Sequence, residues 1–418
     1  MKRFIGAVTV VVACLVMAGG AFAFNYTDHV SVAPNGKGDL LVFPVYMAMG
    51  GQNPIQTKIT VVNTSTTHSV VAKVVVRSFA YSKELLDFLI YLSPTDMWIG
   101  TLQFVGNSPV MISTDKSGPV ALAKGQPLTA VTCTGATGDK GVDSNQFGYV
   151  EVIEAWSADL GLKSPIDKVK IIDAYDASPK TGAYPYTGAL TVDMLSGSYQ
   201  ISVPTLAGWE AADNAFAMKS YDNKLYLSPA VETVIGLNAR NNIQEIEAGF
   251  NKDAVAMAFN NNPVDGGSMH LFTFPTKVSN AAACTRVATS GSVYFPVDGK
   301  VKYGKTVYDN EENSTINEFS PSPTAPDMVD EVMSLYGPID FKVGWVLYSF
   351  TKTGTAGATL SGLPLNYTGT PVIPTILDFK DGVSIRSGVW TDGIVSSVPA
   401  GPALPGYQYS SEFVTSTK

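Results

Sequence analysis

Histidine and cysteine are nearly missing from this chain, with three of each in 418 residues. That scarcity leaves zinc without support, because no His pair stands at ligand spacing and the cysteines are far apart. A Ser-His-Asp hydrolase would have only His29, His68 and His270 to draw on. His29 lies close to the N-terminus, His68 falls in a turn-rich stretch, and His270 opens a strand pattern. The preceding Gly266-Gly267-Ser268 does not give the Gly-x-Ser-x-Gly spacing of a nucleophile elbow. Charge is the next shortage: Asp, Glu, Lys and Arg make up 15 % of the chain, and the formal net charge is −8. An acidic chain repels phosphate, so neither nucleic acid nor an anionic lipid surface is an expected partner. Long apolar runs are also wanting. Past the N-terminus no stretch reaches the roughly 20 residues that span a bilayer.

What is present favours β-structure. The chain is 45 % hydrophobic, enough for one large core or two ordinary ones, since single cores stop growing near about 250–300 residues. With 38 Gly, 25 Pro and 10 % aromatics, it suits a turn-rich β architecture better than a helical bundle. Residues 1–23, MKRFIGAVTVVVACLVMAGGAFA, combine two basic residues, an apolar stretch and a small-x-small site at Ala21–Ala23, the layout of a signal peptide. Processing as a lipoprotein at Cys14 is the alternative, but it would leave a greasy LVMAGGAFAF where a tether should be polar. Cleavage after Ala23 also removes Lys2 and Arg3, taking the charge from −8 to −10. Cys133 and Cys284 then remain, and in an oxidising compartment they either pair or stay as separate thiols. A bridge would close a loop of about 150 residues, worth on the order of 4–5 kcal/mol in the chain-entropy model.

Strand signals begin at QTKITVV (56–62) and VVAKVVVRSF (70–79), both rich in β-branched residues and separated by a string of turn formers. In the second, Val70, Ala72, Val74 and Val76 share one face and Lys73 and Arg77 the other. The stretch LLDFLIYLSPTDMW (85–98) reads as a strand with Leu86, Phe88, Ile90 and Leu92 turned inward, then a turn at Ser93–Asp96. A helix capped by Ser82 and stopped by Pro94 is the competing reading. MWIGTLQF (97–104) resumes the alternation, and four strands so spaced point to an antiparallel sandwich. Further strands are expected at 148–156 (with a bulge or an edge), 188–195, 198–204, 269–275, 291–297, 341–350 and 371–379. A long mobile loop is expected around 132–145. Ser228-Pro229, and the spacing of Ile243, Ile246 and Phe250, predict one or two helices near 229–258.

Chemistry-bearing motifs are weak. Ser113–Lys116 and Ser349–Lys352 match Ser-x-x-Lys, and Lys-Thr-Gly occurs at 180–182 and 352–354. Lys352 cannot serve in both, and the Ser-Asp-Asn element is missing. Carboxylates that could flank a glycosidic bond are Asp87, Asp96, Glu151, Glu154 and Glu210. Tyr308–Asn313 offers clustered oxygens to calcium without an EF-hand frame. Trp98, Trp156 and Trp345 sit in strand patterns and read as core; Trp209 and Trp390 lie in less regular settings.

FPVYMAMGG (43–51), TKITVVNTST (57–66), ELLDFLIYLSPTDMWIGTL (84–102), FTFPTK (272–277) and the segments YDNEEN and FSPSP within 308–323 resemble, in order, a group of secreted bacterial envelope proteins of undefined function. The resemblance implies a β-rich periplasmic or surface-exposed protein and carries no ligand residues with it. The expectation is therefore a mainly β chain: an immunoglobulin-like β-sandwich over 24–205, then a second β-rich portion, 206–418, with a short helical insert. No catalytic, metal or cofactor residue is nominated. The expected role is that of an exported, non-enzymatic envelope or cell-surface component with protein or glycan partners, self-association along sheet edges among them. A carbohydrate-binding sandwich and a secreted glycoside hydrolase are the alternatives.

Overall fold

The computed structural model describes residues 31–33, 35–78, 84–129, 145–162, 167–178, 193–206, 209–219, 250–260, 268–275, 277–280, 285–288, 302–309, 314–317, 332–334, 343–351, 359–360, 363–364, 370–378 and 384–387. The chain is mainly β. Its first twelve strands are β1 (Ser31–Val32), β2 (Leu40–Met47), β3 (Gln56–Asn63), β4 (His68–Ser78), β5 (Glu84–Leu92), β6 (Met97–Val105), β7 (Ser108–Ile112), β8 (Gln126–Pro127), β9 (Phe147–Asp159), β10 (Leu195–Ser202), β11 (Glu210–Asn214) and β12 (Phe216–Lys219). They form two six-stranded antiparallel sheets, ordered β1-β12-β2-β9-β4-β5 and β11-β10-β3-β6-β7-β8. One apolar cluster joins them, with Phe43, Val74, Ile90 and Val152 from the first sheet and Ile59, Trp98, Leu102 and Tyr199 from the second. β11 and β12 follow residue 205, so these two sheets draw strands from both sides of the boundary expected there.

Residues 85–98 form strand, turn, strand, and not the helix of the competing reading. Along β5 the burial alternates, with Phe88, Ile90 and Leu92 buried and Asp87 exposed. A register shift at Val76/Arg77 lets Leu85 reach the core as well, while Leu86 packs against it half-buried. The turn closes through the Asp96 amide on the Ser93 carbonyl, 3.1 Å, and the Ser93 amide on the Asp96 carboxylate, 3.2 Å. Behind it Trp98 is fully buried against Phe88, ring centroids 5.6 Å apart. A Cβ on Gly100 would sit 2.3 Å from the Trp98 ring, so a glycine is what allows the indole to lie flat there.

β4 behaves differently from the half-exposed strand its alternation suggests. Residues Ser69–Ser78 are all buried, because both faces of the first sheet are covered. On the outer side Val71 and Trp156 pack with Ile171 and Tyr175 of α1 (Lys168–Ala177), a helix whose Asp167 cap accepts from the Val169 amide at 3.0 Å. Nearer β2, the residues Leu40, Val42, Val75, Tyr149, Ile153, Phe216 and Met218 pack with Phe250 and Ile373 from the C-terminal portion. β9 carries its expected bulge, opposite Val71/Ala72, but lies between β2 and β4 and not at an edge. β2 is irregular between Phe43 and Tyr46, which accommodates Pro44 in a central strand.

The C-terminal strands are β13 (Asn251–Lys252), β14 (Ala254–Asn260), β15 (Ser268–Thr273), β16 (Lys277–Asn280), β17 (Thr285–Ala288), β18 (Lys302–Asp309), β19 (Ser314–Asn317), β20 (Val332–Ser334), β21 (Val343–Thr351), β22 (Thr359–Leu360), β23 (Leu363–Pro364), β24 (Thr370–Pro371), β25 (Ile373–Asp378) and β26 (Ser384–Ser387). Two four-stranded antiparallel sheets, β14-β21-β18-β19 and β20-β15-β25-β26, hold most of them. β14 corrects the helix expected near 229–258 over its last residues. Ala-rich AVAMAF favours helix by propensity, yet Val255, Met257 and Phe259 alternate inward and the strand pairs along β21. The rest of that predicted helical stretch up to Gly249, the strand at 291–297 and all but Asn145 of the loop at 132–145 lie outside the described residues. Where separate strands are expected at 188–195 and 198–204, the described residues hold one strand, β10, over Leu195–Ser202. α1 and many of the strands, β2, β7, β11, β12 and β18 among them, are not among the elements the sequence pattern predicts. Among the described residues no helix is long and apolar enough to cross a membrane, which bears on helices alone.

Trp98→Ala is expected to cost about 3–5 kcal/mol by emptying the site between the sheets. A urea midpoint shift at unchanged slope is the readout; a shift equal to that of an exposed-site control would refute the packing described.

Candidate functional site

Buried carboxylates are the chemistry this fold concentrates. Glu154 lies at the β9 bulge opposite Ala72, a core residue, so it shares the inward face. It is 1 % exposed, and neither of its carboxyl oxygens makes a well-formed hydrogen bond. Its amide donates to the Asp39 carbonyl at 2.7 Å, which brings the 3 %-exposed Asp39 alongside. Asp193 approaches from the chain entering β10, where Gly38 and Leu195 bridge the two sheets through paired backbone bonds of 2.9 and 3.0 Å. Burial pushes the Glu154 carboxyl well above the usual carboxylate range, and the charges of Asp39 and Asp193 add to this against the Ser157 hydroxyl. Asp193 is raised to about 7 by burial and by Asp39, with Lys219 opposing.

The other nominated acids are engaged elsewhere. Glu151, fully buried, accepts from Arg77 Nε at 3.0 Å; Arg77 also approaches Glu84 at 3.8 Å. Burial drives the Glu151 carboxyl above its usual range, while the Arg77 guanidinium and then Lys73 pull against it; the guanidinium itself does not give up its proton. Asp87 pairs with Lys73 at 2.8 Å. Asp96 pairs with Lys168, whose ammonium also donates to the Tyr91 carbonyl at 3.0 Å and fastens α1 to the Ser93–Asp96 turn. Burial raises Asp96, but Lys168, the Ser117 hydroxyl and the Ser93 amide outweigh it and hold the carboxyl below its usual range. Glu210 accepts from the Gln200 side chain at 2.8 Å on an exposed edge.

Other candidates are placed as follows. His270 is fully buried between the Tyr348 hydroxyl at 2.7 Å and the Ala258 carbonyl at 2.8 Å, a core position. His68 meets Thr67 at 2.8 Å on an exposed turn. Ser113 follows a strand and donates to the Ile99 carbonyl at 2.6 Å; it does not begin a helix. Trp98 and Trp156 are buried as expected, whereas Trp345 is only partly buried and stacks on Tyr308, centroids 4.0 Å apart and planes at 9°. Cys133, Cys284, His29, Trp390, both Lys-Thr-Gly runs and residues 310–313 of the calcium candidate lie outside the described residues. Among the described residues no group of three His, Cys, Asp or Glu side chains is arranged to hold a metal ion. A crevice between Pro44, Phe147–Tyr149 and Leu271–Thr273 is crossed by the Thr273 hydroxyl, which donates to the Pro44 carbonyl at 2.7 Å.

Sequence reasoning named Glu154 but missed Asp39 and Asp193. The available signal was a lone acid abutting an apolar run, in GDLLVF and VDML. Their meeting depends on pairing between strands more than 100 positions apart, which no local pattern encodes.

No protein-family model matches this chain, and no curated protein does either. Among solved structures, a human norovirus GI.7 Houston strain virus-like-particle asymmetric unit aligns over 88 % of this chain and 82 % of its own, at 9 % identity and a TM-score of 0.11. A likeness that low carries no argument about fold or role.

Two variants test the ion pairs. Arg77→Met is expected to cost about 3–5 kcal/mol by stranding Glu151, with Arg77→Met/Glu151→Leu recovering most of it; a double variant no more stable than the single one would contradict the pairing. Lys168→Met is expected to lower stability near pH 6. Asp96 is depressed, so its contribution exists above its ordinary value near about 4 and is lost as pH falls through the lower folded value. The gap between wild type and variant should therefore close below about pH 4; a gap constant with pH would assign Lys168 a packing role only.

Proposed function

We propose that this chain is an exported, non-enzymatic structural or interaction protein of a bacterial envelope or cell surface, built on an immunoglobulin-like pair of sheets. One observation carries the reading. Of the five acids nominated for hydrolysis, Asp87, Asp96 and Glu151 are tied into ion pairs, Glu154 is sealed in the core, and Glu210 lies on an exposed edge beside Gln200, so none faces a cleft with a second acid. Export rests on the leader pattern of residues 1–23. Of the edges of the first two sheets, β11 is the one that offers partners five residues of strand. β1 and β8 are two residues each, and along β5 the Tyr91 amide donates to Ser117 at 2.7 Å while Leu85 accepts from Thr129 at 3.2 Å.

A second reading, carbohydrate binding, is favoured by the Tyr308–Trp345 stack. In register, Ala258, Trp345, Tyr308 and Ser314 form a row across four strands. Both aromatics are partly exposed, Ala258 is open beside the indole, and Val343 is 49 % exposed. An aromatic ring beside a small residue on a flat sheet is a surface on which a pyranose can stack.

Fractionation of the native host, with size analysis of the mature chain, separates the readings. Recovery in a large surface-associated assembly is the expected result; a soluble monomer with no retained partner would overturn the scaffold role. On a glycan array, retention lost in Trp345→Ala and Tyr308→Ala would establish the second reading, and no retention by wild type would remove it.

A further inference from the structure

The outward face of the β14-β21-β18-β19 sheet has a relief that follows from its register. β14 presents only alanines there, Ala254, Ala256 and Ala258, while the alternate Val255, Met257 and Phe259 point into the core. On β21, Trp345 stands opposite Ala258 and Leu347 opposite Ala256. On the other side of β21, Tyr308 pairs with Trp345. The two rings are nearly parallel, at 9°, with centroids 4.0 Å apart. Neighbouring strands lie about 4.8 Å apart, so rings flat on the sheet would sit side by side in one plane. Rings stacked across that gap must stand edge-on to the sheet, and each gives one face to the other. The second face of Trp345 looks across β14, where the methyl of exposed Ala258 rises too little to cover it. The result is a step, an indole wall beside an alanine floor.

Charge and size limit what the step can hold. The register rows of Ala254, Ala256 and Ala258 contain no charged residue on β14, β21 or β18. A carboxylate, phosphate or sulfate laid there would lose water without gaining a counter-charge. The net charge of −8 repels such a group further. Across three strands, and from Ala254 to Ala258, the floor measures about 10 by 13 Å. A stable protein interface takes about 800 Å² from each partner, several times that area. By itself the face is too small to hold a second copy or another protein. It suits a short, flat, uncharged ligand, and the exposed Ser349 opposite Ala254 offers a hydroxyl at the far end of the floor.

We propose that the Trp345–Ala258 step binds a neutral saccharide, one ring setting its C–H face on the indole and the next lying over the alanine floor. The electron-rich ring face attracts the polarised C–H groups, and the floor shields them from water. This rests on the carbohydrate reading above and narrows it to uncharged sugars on the β14 side of Trp345.

The test is an array of neutral oligosaccharides of glucose, galactose, mannose and N-acetylglucosamine beside oligogalacturonate, probed with the full chain. A neutral oligosaccharide is expected to be retained by wild type and bound about tenfold more weakly by Trp345→Ala and by Ala258→Ile, with oligogalacturonate not retained. Ala258→Ile leaves the indole in place and fills only the floor before it. Isoleucine suits an exposed strand position, so this variant decides if Trp345→Ala does not fold by circular dichroism. Unchanged binding in Ala258→Ile, or oligogalacturonate held as tightly as the neutral sugars, would overturn the proposal and leave the carbohydrate reading standing. Retention of no saccharide would overturn both. A wild-type dimer that Ala258→Ile dissolves would give the face to a second copy and overturn the proposal.

Discussion

The rest of the structure depends on the first sheet being buried on both faces. Its inner face meets the second sheet, and its outer face lies under α1 on one side and under Phe250 and Ile373 on the other. A strand in such a sheet has no solvent side along its middle, so the buried charged residues, Lys73 and Arg77 on β4 and Glu151 and Glu154 on β9, must find a partner or a proton. That requirement explains Arg77 on Glu151 and Lys73 on Asp87, and it explains why Glu154, without a cation of its own, stands apart. Burial of this kind stabilises little by itself, because desolvation offsets most of the Coulombic gain. What it does provide is register: a one-residue slip of β4 against β9 would strand both ions in the core.

Much of this was legible in the residues. The inward set Phe88, Ile90 and Leu92, the turn at Ser93–Asp96 and the bulge in β9 all follow from alternation and turn chemistry, which are local. The reading failed where tertiary context decides. β4 alternates as if half-exposed, since Lys73 and Arg77 are polar, yet both are buried by elements that come later in the chain. AVAMAF has the composition of a helix and became a strand because β21 offers it seven paired positions. α1 is ten residues long with only Ile171 and Tyr175 buried, too short for periodicity to announce it. The surroundings of Glu154 were half visible: Glu154 could be named, but Asp39 and Asp193 could not.

The same burial decides where the acids go. Asp87 and Glu151 pair with Lys73 and Arg77, Asp96 ties α1 to the Ser93–Asp96 turn, Glu154 is buried on the inner face, and Glu210 stays on an exposed edge beside Gln200. The exposed side of the β14-β21-β18-β19 sheet presents the stacked Tyr308 and Trp345 rings, while its other side is closed by Val255, Phe259, Val307, Val346 and Tyr348. The Arg77 and Glu154 clusters belong to opposite faces of the first sheet: Arg77 to the covered outer one and Glu154 to the inner.

Amide hydrogen exchange across the folded chain tests the doubly covered sheet most directly. The amides of β4 and β9 are predicted to exchange last, at the rate set by global unfolding, with β11 and the short β8 exchanging earlier. Exchange of β4 or β9 by local opening, ahead of the strands at the sheet edges, would contradict the account.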